Sequence, residues 1–337
     1  MHLLVKVIVL TWAVFNVALI MAAPPPVKTP AQKIDATKFY QEYKGHPLSD
    51  LVTFREITHA ERPNKPVIYL AGDSSLDNKF WLSKSVADFD VKIPAIYDKT
   101  LEKPEPKPDV SFWLNHLLGE RATCINTAVE ESMLRERDHR LLSHDEFIRD
   151  NLRSEDTLIV SVGSNDVAFE PSPRTMAHMF QLAWLTPRRK LEDGTASALQ
   201  YFRHMFRDDV QDYVTRLTSK TKPRAVVICM IYFPLQSQFG QKSWADLKLR
   251  ALGYNSYPER LQLAIRSLYD IATKQIKVDG TRIVPCGLHT VLDGKHPELY
   301  TERVEPNEEG GWKMAVKFME LIEGLLEPAS PMTQEKV

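Results

Sequence analysis

Cysteine is scarce in this chain, and the few cysteines lack the spacings of metal or redox motifs. Three cysteines occur among 337 residues, namely Cys124, Cys229 and Cys286, so at most one disulfide can form. Each lies in or beside an apolar run, which is typical of small buried side chains. Without Cys-x-x-Cys or zinc-ribbon spacing, the sequence predicts no metal and no cofactor.

An excess of charge of one sign is also missing. The chain has 43 Lys and Arg against 44 Asp and Glu, a net charge of −1. Without a basic field we expect no nucleic-acid partner and no general attraction to anionic membranes. The short cluster Arg188-Arg189-Lys190 is interpreted as a solvated loop. The sequence has no Asn-x-Ser/Thr acceptor for N-glycosylation.

The N-terminus has the composition of a targeting segment. Lys6 precedes the largely apolar residues 7–23, which end in Met21-Ala22-Ala23, the small-residue pattern of a signal-peptidase site. This run is shorter than the about 20 residues that span a membrane. We therefore expect residues 1–23 to be a signal peptide and the protein to be secreted or extracytoplasmic. The alternative is an uncleaved signal-anchor, which would make the membrane a partner.

The central stretch of the sequence is an apolar run, 67–71, that passes into Gly72-Asp73-Ser74 and then into helix-compatible residues 78–86. A serine at the carboxyl end of a strand lies at the sheet edge where α/β proteins bind ligands. The N–H groups of a following helix start would favour an oxyanion there. This placement suits a nucleophilic serine. The alternative is an ordinary N-cap serine in a strand-to-helix turn.

A second apolar run, 156–162, ends in Gly163-Ser164-Asn165-Asp166. Together with Gly72-Asp73-Ser74, this block resembles the SGNH (GDSL-type) hydrolase family over about residues 64–326. The resemblance implies that Ser74 is the nucleophile and that its N–H and the Asn165 side chain bind the oxyanion. Asn126-Thr127-Ala128 stands where the family has Asn-x-Gly, so the N–H of Ala128 becomes the third oxyanion donor.

Strands and helices alternate along the chain, and the strands are nearly continuous apolar runs. This pattern predicts a doubly wound, mostly parallel sheet with helices on both faces, a three-layer α/β/α fold. The resemblance implies five strands in the order 2-1-3-4-5. Strands are predicted at 67–71, 91–96, 123–126, 156–162, 225–233 and 281–288. Helices are predicted at 36–43, 47–60, 78–86, 110–118, 130–137, 143–151, 197–219, 258–276 and 308–326.

The remaining segments complete the expected organisation. Residues 24–35 are a proline-rich linker, 36–327 a single SGNH-like domain and 328–337 a loose tail. The long connection 167–198 is rich in methionine and aromatic residues. It is interpreted either as one wall of a substrate pocket or as a satellite hydrophobic cluster.

A serine nucleophile needs a base, and two sites compete for that role. The family has Asp-x-x-His before its final helix. Asp293-Gly294-Lys295-His296 has these residue types, and we favour His296 as the base with Asp293 orienting it. The other site fits the family frame around Pro306, Gly310 and Ala315, but there Glu302 and Glu305 occupy the Asp and His slots.

Two weaker alternatives remain for this region. His289 is another candidate base. A metal site built from His289, Asp293, His296 and Glu302 is conceivable but has no recognised ligand spacing.

These observations predict an extracytoplasmic serine hydrolase that cleaves carboxylic esters through an acyl-enzyme. Its substrate would be a small-molecule, glycan or lipid ester. The competing hypothesis is a catalytically impaired SGNH-like protein that binds a glycan or lipid without turning it over.

Overall fold

Five apolar runs form the strands of one parallel sheet in this computed structural model, which describes residues 32–326. The strands are nearly all buried, as expected of a sheet covered on both faces. They are β1 (Val67–Gly72), β2 (Thr123–Asn126), β3 (Thr157–Ser161), β4 (Ala225–Met230) and β5 (Ile283–Gly287). Their order is β2-β1-β3-β4-β5. The predicted three-layer α/β/α fold and its strand order are confirmed.

The helices of the described residues fill the connections between these strands. They are α1 (Ala36–Gln41), α2 (Leu48–Glu61), α3 (Ala95–Thr100), α4 (Val110–Leu118), α5 (Ser143–Asn151), α6 (Ser164–Ala168), α7 (Pro173–Phe180), α8 (Arg188–Glu192), α9 (Ser197–Arg203), α10 (Val210–Leu217), α11 (Asp246–Ala251), α12 (Pro258–Ile271) and α13 (Glu308–Ile322). Two π-helical segments, Gln181–Leu185 and His204–Asp209, continue α7 and join α9 to α10. A two-stranded hairpin, β6 (Tyr300–Thr301) with β7 (Glu305–Pro306), precedes α13.

The handedness of the connections assigns the helices to two layers. The chain moves in one direction from β1 to β2 and in the opposite direction from β2 through β5. Because crossovers between parallel strands are right-handed, α4 covers one face, and α5, α10 and α12 cover the other. Helix α13 packs against α4. The carboxyl ends of β1 and β3 therefore open at the edge where the strand order reverses, which is the position of ligand sites in such sheets.

The folded unit begins slightly before the predicted start at residue 36. From Lys33 onwards the described residues form one compact unit, and the buried Ile34 pairs with Leu101 in an isolated bridge. The predicted signal segment, most of the linker and the C-terminal tail lie outside the described residues. Among residues 32–326 the longest apolar helices are too short or too polar to span a membrane.

Three predicted elements are wrong. Residues 130–137, predicted as a helix, form a turn and then a short 3-10 segment, Leu134–Arg137. Residues 91–94 have no regular structure, and α3 begins directly after Pro94, a position that suits proline because its missing N–H is not needed there. Residues 78–86 form only a 3-10 turn, Asn78–Phe80, rather than a helix. Asn78 instead uses its side chain to bind the backbone of Pro306 and Val110. Ser74 therefore lies in a turn and not at the start of an α-helix.

The three cysteines are free and buried in this structure. Their burial in strands agrees with the interpretation as small core side chains. Among the described residues, no group of three or more His, Cys, Asp and Glu is arranged to hold a metal ion.

Candidate active site

The turn after β1 brings the first sequence block against the end of β3. A Cβ at Gly72 would lie 1.9 Å from the carbonyl oxygen of Ser161, so only glycine permits this approach. Asp73 then joins the two blocks. One carboxylate oxygen accepts hydrogen bonds from the N–H and hydroxyl of Ser75, and the other accepts one of 2.6 Å from the Ser164 hydroxyl. The two predicted blocks therefore form one structural unit.

Ser74 and Asn165 line the same cavity. Both side chains are largely buried. Within the described part of the chain, the backbone N–H of Ser74 forms no hydrogen bond. One amide hydrogen of Asn165 goes to the carbonyl of Ser132 at 3.1 Å, which leaves the second for a ligand. The sequence-predicted serine and asparagine are thus brought together, with donors free to meet an oxyanion.

The third predicted oxyanion donor, Ala128, is arranged differently. Its N–H donates to the side-chain oxygen of Asn126 at 3.1 Å, within its own loop. The residue is completely buried and does not line the cavity of Ser74. Ala128 lacks the positive φ that a glycine could adopt at this position. In this structure the N–H of Ala128 is therefore occupied by its hydrogen bond to Asn126.

The structure does not bring His296 and Asp293 to Ser74. They line a separate cavity that shares no residue with the cavity of Ser74. The side chain of His296 is 57% exposed, and its ring contacts Glu298 at 3.1 Å and Asp293 at 3.8 Å. His289 lies elsewhere again, stacked on a phenylalanine, and burial lowers its pKa to about 4. The favoured histidine therefore belongs to an exposed loop that packs along α13.

Glu305 occupies the position beside Ser74 that the family frame gives to its histidine. It lines the same cavity and is 3% exposed. Burial raises its pKa to about 8, while contacts from the Ser74 and Trp244 side chains lower it and the neighbouring Asp73 raises it. Its Oε2 atom has no hydrogen-bond partner among the described residues. A carboxyl group with this pKa can accept a proton near neutral pH.

A strained hairpin holds Glu305 in place. Between β6 and β7, Glu302 and Arg303 both have positive φ, 53° and 62°, which costs about 1 kcal/mol or more for each non-glycine residue. The buried Arg303 guanidinium compensates by binding Asp246 at 2.6 Å, Asn255 at 3.0 Å and a backbone carbonyl. The contacts of the buried Arg303 therefore hold the hairpin in place. Glu305 lies two residues further along the same hairpin.

A further buried carboxylate, which the sequence did not indicate, interacts with the charge of Glu305 without lining the Ser74 cavity. Glu130 is buried, and its pKa is raised to about 9 by burial and by the nearby charges of Glu305 and Asp77. Burial also raises the pKa of Asp73. Like charges so close together cannot all ionise, so each favours the protonated form of the others. Glu130 follows the altered Asn-x-Gly block by two residues, but nothing in its spacing marks it as a site residue.

The rest of the Ser74 cavity is largely apolar, and residues from distant segments form its walls. Val167 and Ala168, at the start of the long connection 167–198, contribute to it. Residues from the segment around α11, including Trp244 and Leu249, form another wall. The prediction that the methionine-rich connection borders a pocket agrees with this arrangement. The contribution of α11 was missed, because a short loop helix carries no signal of its spatial neighbours.

No family model and no curated protein matches the chain. Several solved structures are similar to it at low identity. An extracellular lipase from Streptomyces rimosus is 13% identical, with a TM-score of 0.43 over 76% of this chain and 99% of that one. A family 3 carbohydrate esterase from Clostridium thermocellum is 9% identical, with a TM-score of 0.38 over 78% and 98%.

A third similar structure is phospholipase A1 from Streptomyces albidoflavus NA297. It is 9% identical, with a TM-score of 0.41 over 75% of this chain and 99% of that one. The assignment of the fold rests on the strand order and on the placement of Ser74 and Asn165, rather than on these likenesses. The strand order and the two sequence blocks with Ser74 and Asn165 resemble those of SGNH hydrolases.

Proposed function

We propose that the protein is a serine ester hydrolase in which Ser74 is the nucleophile and Glu305 the general base. The observation that carries this proposal is the buried Glu305 carboxyl beside Ser74, with a pKa raised to about 8. A carboxylate at its ordinary pKa near 4.3 would be too weak a base for serine. Desolvation strengthens it as a proton acceptor, as it does for tuned catalytic carboxyl groups.

The reaction follows from this arrangement. Ionised Glu305 accepts the Ser74 hydroxyl proton while Oγ attacks the ester carbonyl carbon. The oxyanion that forms accepts hydrogen bonds from the Ser74 N–H and the second amide hydrogen of Asn165. Collapse breaks the bond to the alcohol oxygen, and protonated Glu305 returns its proton to the leaving alcohol. Glu305 then deprotonates a water molecule that attacks the acyl carbonyl carbon. Collapse breaks the bond to Ser74 Oγ, protonated Glu305 returns its proton to Oγ, and the acid product leaves.

Ser74 and Asn165 keep the roles implied by the sequence resemblance in this proposal, whereas His296 and Asp293 do not. Two hydrogen-bond donors replace the expected three, because the N–H of Ala128 is engaged by Asn126. Loss of one oxyanion donor typically costs about 10²–10³ in kcat, so we expect a slow esterase. The sequence of residues 7–23 supports action outside the cytoplasm, on a small-molecule, glycan or lipid ester.

Labelling with a fluorophosphonate, followed by peptide mapping, tests the proposal because this reagent reacts with activated serines. We expect labelling at Ser74, with a rate that rises with pH around a midpoint of about 8, the pKa of Glu305. Ser74→Ala should remove the label. Labelling of Ser74 with a midpoint near 6.5, the ordinary pKa of histidine, would instead assign the base to a histidine.

A specific observation also favours a second function. The committed N–H of Ala128 and the absence of a histidine from the lining of the Ser74 cavity are features of a site that binds without catalysing. In this alternative the protein holds a glycan or lipid in the cavity. Folded protein that stays unlabelled throughout the pH range, but binds an ester without hydrolysing it, would establish this alternative.

A further inference from the structure

A second cavity adjoins the Ser74 cavity. Five residues line both: Val167, Ile231, Leu252, Leu261 and Ile265. All five are apolar, so the two cavities meet at a hydrophobic boundary. The polar groups of the site, Ser74, Asn165 and Glu305, lie only on one side of it. The second cavity is thus separated from these polar groups by the shared apolar side chains, and it is called the apolar extension of the site below.

The lining of the extension is apolar apart from Arg260. The guanidinium of Arg260 is turned to the protein backbone, with hydrogen bonds to the carbonyls of Leu182 at 3.2 Å and Thr186 at 2.6 Å. An apolar cavity holds water poorly and favours an apolar ligand. The residues present therefore fit a hydrocarbon chain better than a sugar, which would need polar partners.

Both π-helical segments of the protein border this extension. Leu182 and Ala183 belong to Gln181–Leu185, and Phe206 belongs to His204–Asp209. A π-helical turn is rare, disturbs regular packing and is frequent at functional sites. In a helix wall, the wider turn moves side chains away from the positions of close α-helical packing. Two π-helical turns beside one cavity therefore favour a ligand-binding space over an ordinary packing defect.

We propose that this extension binds the straight hydrocarbon chain of the acyl group, so that the substrate is a fatty-acyl ester. The inference rests on the proposed function, since it needs the ester carbonyl at Ser74. The acyl side is the reasonable occupant because the acyl group stays bonded to Ser74 after the alcohol leaves. An apolar anchor there holds the intermediate without slowing departure of the alcohol.

Binding to the Ser74→Ala variant tests the cavity separately from catalysis. The probes are short, medium and long straight-chain 2-alkanones, which are neutral and cannot be hydrolysed. Each added methylene should tighten binding about fourfold while the chain is filling the cavity, from the free energy of burying one CH₂ group. Beyond the length that fills it, the affinity should stay constant. Equal affinity for short and long chains would overturn the inference.

Two tryptophan substitutions on one helical segment give a matched comparison, each made in the Ser74→Ala background. Ala183 lines the extension, whereas Ala177 is exposed on α7. Ala183→Trp should abolish the dependence on chain length, and Ala177→Trp should leave it unchanged. Equal effects of the two would contradict the proposal. If Ala183→Trp fails to fold, Ala264→Leu fills the same cavity from α12 and should shorten the longest chain that still gains affinity.

The outcomes separate this inference from the proposed function. Chain-length-dependent binding without labelling of Ser74 would retain the hydrocarbon site and remove the hydrolase. Labelling of Ser74 with no such binding would retain the hydrolase and overturn the acyl site. For an active enzyme, esters with the long chain on the acyl side should be preferred over isomers that carry it on the alcohol side. The reverse preference would also overturn the assignment of the acyl group.

Discussion

The loop that carries His296 and the hairpin that carries Glu305 are close in sequence but opposite in character. The loop has the expected Asp-x-x-His residue types, yet both side chains are substantially exposed, at 36% and 57%. The hairpin has glutamates in place of both residues, but Glu305 is 3% exposed and Arg303 is 1% exposed. The hairpin also contains two consecutive non-glycine residues with positive φ.

This difference shows that residue type and structural position are separate signals. Backbone strain and an unpaired buried carboxyl both cost free energy, and they persist where surrounding contacts enforce them, often at functional sites. A histidine in an exposed loop carries no such cost. The physical features of the hairpin, rather than its residue types, point to it as the part of the chain that completes the site.

The largest expected difference between the hairpin and the loop is the effect of their substitutions on catalysis. Glu305→Gln removes the proton acceptor while keeping size and neutrality, and we expect kcat/KM to fall about 10²–10⁴-fold. His296→Ala should change it less than about twofold, since its ring contacts only Asp293 and Glu298. Ester hydrolysis by the two purified variants makes the comparison.

A reversal of these effects would restore His296 and Asp293 to the catalytic role and would mean that the loop approaches Ser74 during turnover. Circular dichroism of both variants controls for unfolding. Glu305→Gln is close in volume to the original residue, so a folded but inactive variant is the expected result.

The fold could be predicted further than the site. Near-continuous apolar runs such as 157–161 predict buried parallel strands, because both faces of such a strand must be covered. The strand order came from the family resemblance. Three predicted elements were wrong: 78–86, 91–96 and 130–137. In the first, the Asn78 side chain binds a distant backbone group, and in the second, Pro94 lies directly before a helix. Local pattern cannot register such contacts.

Within the site, the residues at strand ends were predictable and those from loops were not. Ser74 and Asn165 follow apolar runs directly, so the sheet fixes their positions. Trp244 reaches the Ser74 cavity from an irregular segment, and Glu130 interacts with Glu305 from another. In such segments no periodicity indicates the direction of a side chain. For Glu305, the spacing to α13 gave the position, but only the burial shows why a glutamate can serve there.

The next effect concerns the stability of the hairpin. Arg303→Met removes a buried guanidinium that binds Asp246 and two other groups, and we expect unfolding free energy to fall by about 3 kcal/mol. Arg188→Met is the control, because the Arg188–Glu192 pair is exposed and solvent screens it, so we expect little change in stability. Urea denaturation measures both.

Arg303→Met should impair the catalytic step more than substrate binding. If the arginine positions Glu305, kcat should fall more than KM rises, and the pH midpoint of activity should shift as Glu305 gains solvent. An unchanged pH midpoint in the folded variant would show that Arg303 stabilises the hairpin without positioning the base.

The effect most specific to Glu305 is the pH dependence of stability. Burial raises the pKa of Glu305 from 4.5 to about 8, so between these values the folded state holds a proton that the unfolded state releases. The free energy of unfolding should then fall with rising pH, by at most about 1.4 kcal/mol per pH unit from this group, and level off above its folded pKa.

Glu305→Gln has no proton to lose, so its stability should equal that of the wild type near pH 4 and exceed it increasingly towards pH 8. His296→Ala should lack this widening difference, because the ring is exposed and its removal changes few contacts. Parallel stability curves for Glu305→Gln and the wild type would mean that Glu305 ionises at its ordinary pKa in the folded protein, and the carboxylate would then be too weak a base for Ser74.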